Sequence, residues 1–142
     1  MPGWFADLAW SHARRVEVVS GWERGEGLEG GQVACTTRFL EVEGELTGVV
    51  NVRHELTACL RFVGGHVGYA VRPSARRRGH GTALLRGGLD VCARLGIERA
   101  LVTCDATNDG SIAVIRRHGG RAFEREARAG KPDVLRFWVP TQ

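Results

Sequence analysis

The residues best suited to chemistry lie together in Tyr69–Thr82, which reads Y-A-V-R-P-S-A-R-R-R-G-H-G-T. A short apolar run ends at Pro73, three consecutive arginines follow, and Gly79-His80-Gly81 opens a helical pattern. The first amides of a helix have no intrahelical acceptor, glycine lets a ligand approach the backbone closely, and the helix dipole favours negative charge. Arg76, Arg77 and Arg78 add charge-assisted donors. Backbone N–H groups at Gly79, His80, Gly81 and Thr82 would then cradle an anion, a diphosphate above all. The competing reading is a basic, solvent-exposed loop before a glycine-initiated helix.

Other phosphate and hydrolase signatures fail on inspection. There is no G-x-x-x-x-G-K-[ST], which excludes a P-loop nucleotidase. Leu84 stands where a dinucleotide fingerprint starting at Gly79 needs a small residue. His54-Glu55 begins like a zincin motif, but Ala58 occupies the second histidine position. No G-x-S-x-G occurs.

Proton-transfer candidates cluster near the same segment. His66 opens the strand that leads to the loop, and an imidazole titrates near neutrality, so it is the first candidate base. Its plain alternative is a ring hydrogen-bonded to backbone at the Gly64-Gly65 turn. Asp105, ending the next strand, is the second candidate; its alternative is a capping carboxylate. His54 and Glu55 end a hairpin strand, either solvated or facing substrate. Glu41, Glu43 and Glu45 alternate with apolar residues as the wet face of a hairpin would, and could form an acidic rim that attracts cations. His80 and His118 read as surface groups, while Trp22 and Trp138 read as core residues or as walls of a cleft.

The elements that must position these groups follow from periodicity. Residues 4–15 suit a short amphipathic helix with Trp4, Phe5 and Leu8 on one side. Residues 21–32, with five glycines, read as a loop. Strands are expected at 33–40 and 46–54 around a Glu43-Gly44-Glu45 turn, then a connection over 57–65 and a third strand at 66–72. The clearest helix spans 81–95, where Leu85, Leu89 and Cys92 recur at helical spacing and Gly96 closes the end. A strand at 99–105, a helix from Asn108 or Asp109 to Arg117, and a hairpin of 121–128 with 134–139 about Ala129–Pro132 complete the order β-β-(α)-β-α-β-α-β-β. Strand–helix–strand over 66–105 predicts two parallel strands in one sheet. The fold class is α/β, an α+β sandwich with helices on both faces of a mixed sheet.

Composition bounds the rest. The 142 residues suit one domain, with 43% apolar and 25% charged residues as in ordinary globular chains. No apolar run reaches membrane length and the first ten residues lack the pattern of a leader, so a cytoplasmic location without membrane contact is expected. Cys35, Cys59, Cys92 and Cys104 are too dispersed for a metal site and are expected to be reduced. The net charge of +4 suits an anionic ligand. No interleaving of basic and aromatic residues points to nucleic acid.

In order along the chain, the motifs resemble those of the GNAT superfamily of acetyl-CoA-dependent N-acetyltransferases. Tyr69-x-Val71-x-Pro73-x-x-Arg76 followed by Gly79-x-Gly81 resembles its strand and pyrophosphate loop, Asn108 with Ser111 its usual helix head, and His118-Gly119-Gly120 its helix end. N-V-R-H-E-L (51–56), G-G-H-V-G-Y-A-V-R-P (64–73) and L-V-T-C-D-A-T-N-D-G-S (101–111) resemble a predicted-acetyltransferase subgroup, so the likeness covers about residues 33–139. The resemblance implies a GNAT-like, mostly antiparallel sheet with a splayed central parallel pair. It also implies acetyl-CoA as co-substrate. Tyr69, Ala70 and Val71 would lie along its pantetheine arm, Arg76–Thr82 would hold the pyrophosphate, and Asn108 and Ser111 would lie near the thiol. A small-molecule or peptide amine would attack the thioester directly. Two departures stand out. The family's usual acid, a tyrosine in the helix after the asparagine, is Ile115 here, leaving Tyr69, the chain's one tyrosine, as substitute. Residues 1–32 are also short for the family's opening elements, so the amine pocket is open, incomplete or finished by a second subunit in a homodimer. An inactive acyl-CoA-binding or regulatory module is the alternative.

Overall fold

A computed structural model describes residues 12–142. Helix α1 (His12–Glu23) leads through a loop to strands β1 (Cys35–Val42) and β2 (Glu45–Arg53). A short helix α2 (Ala58–Phe62), capped by the Thr57 hydroxyl, precedes strand β3 (Val67–Val71). A 3-10 turn (Pro73–Ala75) and helix α3 (His80–Arg94) follow. Strand β4 (Arg99–Asp105), helix α4 (Asp109–Arg117) and strands β5 (Arg121–Arg128) and β6 (Lys131–Pro140) complete the chain.

The mixed α/β class and the element order agree with the sequence. Two boundaries differ. The expected first helix at 4–15 lies mostly outside the described residues. The described helix runs to Glu23 and takes in Gly21 and Trp22, assigned above to a loop. The last hairpin turns on Ala129-Gly130 alone, because Arg128 already pairs with Lys131 and Gly130 supplies a positive φ of 69°. Pro132 fits inside β6 because it precedes Val134, where pairing with β4 starts.

One topological expectation is corrected. Strands β3 and β4 do not share a sheet; the strands form two antiparallel sheets, β1-β2-β3 and β4-β6-β5. The chain entering β3 is bonded to β4 at His66. The His66 N–H donates to the Leu101 carbonyl (2.8 Å), and the Leu101 N–H donates back to His66 Nδ1 (2.9 Å). Gly65 makes this approach possible, since a Cβ there would lie 2.3 Å from the Leu101 oxygen and its φ is +61°. Beyond this junction the outer edge of β3 has no strand partner among the described residues, and the gap between β3 and β4 opens.

Helix α3 clamps the two sheets together from one side. Its buried stripe, Leu84, Leu85, Leu89 and Cys92, joins Val50, Val52 and Val67 of the first sheet to Val102, Phe137 and Val139 of the second. Gly88 permits the close crossing, because a Cβ would stand 2.8 Å from Val67 and 2.9 Å from Val50. Trp22, the 24–34 loop and Leu60 of α2 lie over the opposite face of the first sheet, around Cys35, Asn51 and Arg53. Helices therefore cover both faces, as the sequence suggested.

Candidate active site

The geometry starts at the first turn of α3. Its N-cap is Gly79 in the left-handed region (φ 82°), no side chain caps the helix, and Arg77 is also left-handed (φ 63°). The Ala83 N–H is bonded back to the Gly79 carbonyl (3.1 Å), so the amides before it are free of intrahelical partners. Successive amides in such a turn form a concave anion cradle. They line a cavity of about 860 Å³, with Tyr69, Ala70 and Val71 of β3 on one wall and α4 on the other.

Most of the residues singled out in the sequence come together here. Arg76, Arg77, Gly79, His80, Gly81, Thr82, Asn108 and Ser111 all border this cavity. Arg78 does not; it lines a separate hollow with Glu43, Glu45 and Arg72. Added to the wall are Gly110, Ala113, Val114 and Arg117, one face of α4, which the 3/4 spacing of those positions could have revealed. The cradle has the room and donors for a diphosphate. A Cβ on Gly79 would meet nothing within 4 Å, and one on Gly81 would point among Tyr69, Val114 and Val71 at 3.5–4.0 Å.

A second cavity of about 500 Å³ fills the gap between the splayed strands, with Gly68 and Tyr69 of β3 facing Thr103, Cys104 and Asp105 of β4. Tyr69, Asn108 and Ser111 border both cavities and mark where they meet. The Tyr69 hydroxyl is 2.9 Å from Ser111 Oγ, and Asn108 Oδ1 caps α4 by accepting from the Ser111 N–H (3.1 Å). Burial raises the Tyr69 phenol above its ordinary value of 10.0, against a smaller lowering by Ser111. Burial likewise pushes the Cys104 thiol up to about 11, which keeps it protonated and poorly nucleophilic.

His66 is placed differently from the expectation of a base. The ring is buried, and its Nδ1 lone pair already accepts from Leu101, which fixes the neutral ring with its proton on Nε2. No basic lone pair remains. Burial, with Arg61 and Arg53 nearby, holds its pKa below 6.5. The histidine joins the two sheets, as the hydrogen-bonded alternative has it. Asp105 does reach the second cavity, where Arg128 donates to its Oδ1 (2.5 Å).

The remaining candidates lie elsewhere. His54 Nε2 is 2.8 Å from the Thr36 hydroxyl, which donates to Glu23. His118 Nδ1 is bonded to the Val114 carbonyl (2.8 Å) at the end of α4. Glu41, Glu43 and Glu45 are exposed at the hairpin. Trp138 stacks on Phe123 with ring centroids 5.4 Å apart, and Trp22 lines a third cavity of about 460 Å³ beneath the 24–34 loop. Ile115 is completely buried in the core, so α4 offers no acid at that position. Among the described residues no group of histidine, cysteine and acidic side chains could hold a metal, and no helix is long and apolar enough to cross a membrane.

Two splayed antiparallel sheets, a helix-headed anion cradle and a cleft between the strands define an acetyltransferase-type fold. The family model described as Acetyltransferase (GNAT) family matches residues 7–120, and the chain belongs to that family. The search of curated proteins gave no match. Solved structures similar to this chain include yncA from Salmonella typhimurium, determined with its cofactor acetyl-CoA. It is 16% identical, with a TM-score of 0.67 over 96% of this chain and 77% of that one. A ribosomal-protein-alanine N-acetyltransferase from Brucella melitensis is 17% identical, with a TM-score of 0.68 over 92% and 79% of the two chains. A variant of spermidine N-acetyltransferase from Vibrio cholerae is 14% identical, with a TM-score of 0.64 over 93% and 77%. At such identities the likeness shows the fold.

Proposed function

We propose that this protein is an acetyl-CoA-dependent N-acetyltransferase whose acceptor is a primary amine. The observation that carries this reading is the meeting of two cavities at Tyr69, Asn108 and Ser111. One cavity begins at an anion cradle, and the other opens between β3 and β4 on the far side of that meeting point. A donor and an acceptor can then approach one reacting centre from opposite ends.

The residues present fit the donor. The amides of His80, Gly81 and Thr82, with Arg76 and Arg77, would hold its pyrophosphate, and the unpaired outer edge of β3 would accept its extended arm. When bound, acetyl-CoA supplies an activated thioester. Backbone amides near Tyr69–Val71 then face the developing negative charge on the carbonyl oxygen.

Two side chains handle the protons. Asp105 borders the acceptor cavity, orients the ammonium group and receives its proton, directly or through water. The freed amine attacks the thioester carbon, the carbon–sulfur bond breaks, and its electron pair leaves on sulfur. The Tyr69 phenol delivers a proton to that sulfur and regains one from the acylated nitrogen as the amide forms, and the raised pKa keeps it a donor throughout the neutral range. Tyr69 thus takes the part left vacant by Ile115, reaching the head of α4 from β3 instead of from α4 itself.

The buried Ile115 favours the second reading, an acyl-CoA-binding module without turnover. CoA thiol release from acetyl-CoA, measured across a panel of amines, tests the choice. Amine-dependent release is expected; tight acetyl-CoA binding with no release above the amine-free rate would select the second reading.

A further inference from the structure

The acceptor cavity contains one charged group that neither the cradle nor the proton transfer uses. Arg53, at the end of β2, borders it beside Gly64, and the same residue also borders the third cavity beneath the 24–34 loop. The side chain is half-buried, and Nη1 donates to the carbonyls of Gly64 (2.8 Å) and Gly65 (3.4 Å). No described carboxylate forms an ion pair with it, although the exposed arginines Arg24, Arg38, Arg72 and Arg86 each have one. A guanidinium carries five donors, so several remain for a ligand. Removing a cation from water without a counter-charge is costly, and burial does lower the basicity of Arg53.

The opposite end of the cavity carries the Asp105 carboxylate, whose Oδ1 is paired with Arg128 (2.5 Å) and whose Oδ2 is left for a ligand. Gly64 is fixed to β4 by its N–H donating to Thr103 Oγ1 (2.8 Å), so Arg53 and its glycine partners lie level with Thr103. Asp105 is two residues further along the same face of β4, about 7 Å away at the rise of an extended strand. Tyr69, Asn108 and Ser111 lie at the Asp105 end. A cavity with a cation near Thr103 and a carboxylate two residues further along β4 is complementary to a zwitterion.

We infer that the acceptor is a small amino acid, whose carboxylate is held by Arg53 while its ammonium group faces Asp105 and the reacting centre. The inference rests on the acetyltransferase reading and narrows its acceptor. Arg53 is then a specificity-determining residue, separate from the groups that bind the donor. The cavity, of about 500 Å³, has room for such a ligand. Placing the carboxylate at the Arg53 end turns the amine toward Tyr69, whereas an amine lacking the carboxylate has nothing to hold that orientation.

The test compares the twenty L-amino acids with their carboxamides, in calorimetry on the CoA-loaded protein and in CoA release from acetyl-CoA. At least one free acid should bind and react with kcat/KM ten or more times that of its amide. Arg53→Gln should raise KM for the acid by tenfold or more and leave KM for the amide nearly unchanged. Arg53→Lys should restore part of the preference, and the acetyl-CoA affinity should be the same in all three proteins, which also reports that each is folded. Equal use of acid and amide, equal loss of both in Arg53→Gln, or binding of none of the acids would overturn the inference. Failure to bind acetyl-CoA would instead remove the acetyltransferase reading itself.

Discussion

Replacing Tyr69 by phenylalanine isolates the proposed acid. The change removes one oxygen and keeps the ring, which packs beside Gly81 at the floor of the cavity. The folded state loses one hydroxyl–hydroxyl bond, to Ser111 at 2.9 Å, and Ser111 keeps its backbone bond to Asn108. That costs about 1 kcal/mol of stability, so the variant should fold normally. The chemical step loses far more. A positioned acid contributes on the order of 10²–10⁴ in rate, equivalent to about 3–5 kcal/mol of barrier. The assay is steady-state CoA release with the best acceptor of an amine panel, alongside calorimetry with acetyl-CoA. We expect kcat to fall by on the order of 100-fold or more, with acetyl-CoA affinity within about threefold of the parent protein. The pH profile gives an independent check. The phenol must be protonated and its pKa is raised, so the parent should keep its activity up to pH 10 and lose it only above, a limb the variant should lack. A kcat within threefold of the parent at neutral pH would refute Tyr69 as the acid.

Other consequences follow from the same geometry. Gly81→Asp places a side chain and a negative charge in the cradle, and calorimetry should show acetyl-CoA affinity falling on the order of 100-fold, about 3 kcal/mol; unchanged affinity would exclude the cradle. His66 has its pKa held below the unfolded value of 6.5, so its contribution to stability is complete above that pH and is lost as pH falls through 6.5 towards the lower folded value. Denaturant midpoints should therefore decline below pH 6.5 in the parent, and the decline should be shallower in His66→Gln; identical slopes would contradict the assigned role. Leu85→Ala, at a wholly buried position in the α3 stripe, should cost about 2–5 kcal/mol in urea unfolding. A cost below 1 kcal/mol would mean that α3 does not carry the joint between the sheets.

Much of the cradle was legible because local chemistry dictates it. Pro73 ends a strand, Gly79 takes a left-handed cap, and the Leu85–Leu89–Cys92 spacing demands a helix, all within one short stretch. The division into two sheets was not legible. Strand–helix–strand over 66–105 predicts a shared sheet, and only the tertiary bond of His66 with Leu101, allowed by the bare backbone of Gly65, ends the pairing there. That bond also decides the role of His66, whose residue type alone suits a base equally well. The end of α1 was misplaced because Gly21 reads as a breaker while packing keeps it helical. Arg53 and Asp105 carried no joint signal, since one belongs to each sheet and only the cleft brings them to a common cavity.

The central claim is that the cradle at the head of α3 binds the acyl donor, and the thermal midpoint tests it most directly. A ligand at 100 times its Kd that binds only the folded state adds about 2.7 kcal/mol, on the order of 10 °C for a chain of this size. Acetyl-CoA and CoA should each raise the midpoint by roughly that amount, and ATP at the same concentration should raise it far less. No shift with either thioester or thiol form, or an equal shift with ATP, would contradict the account.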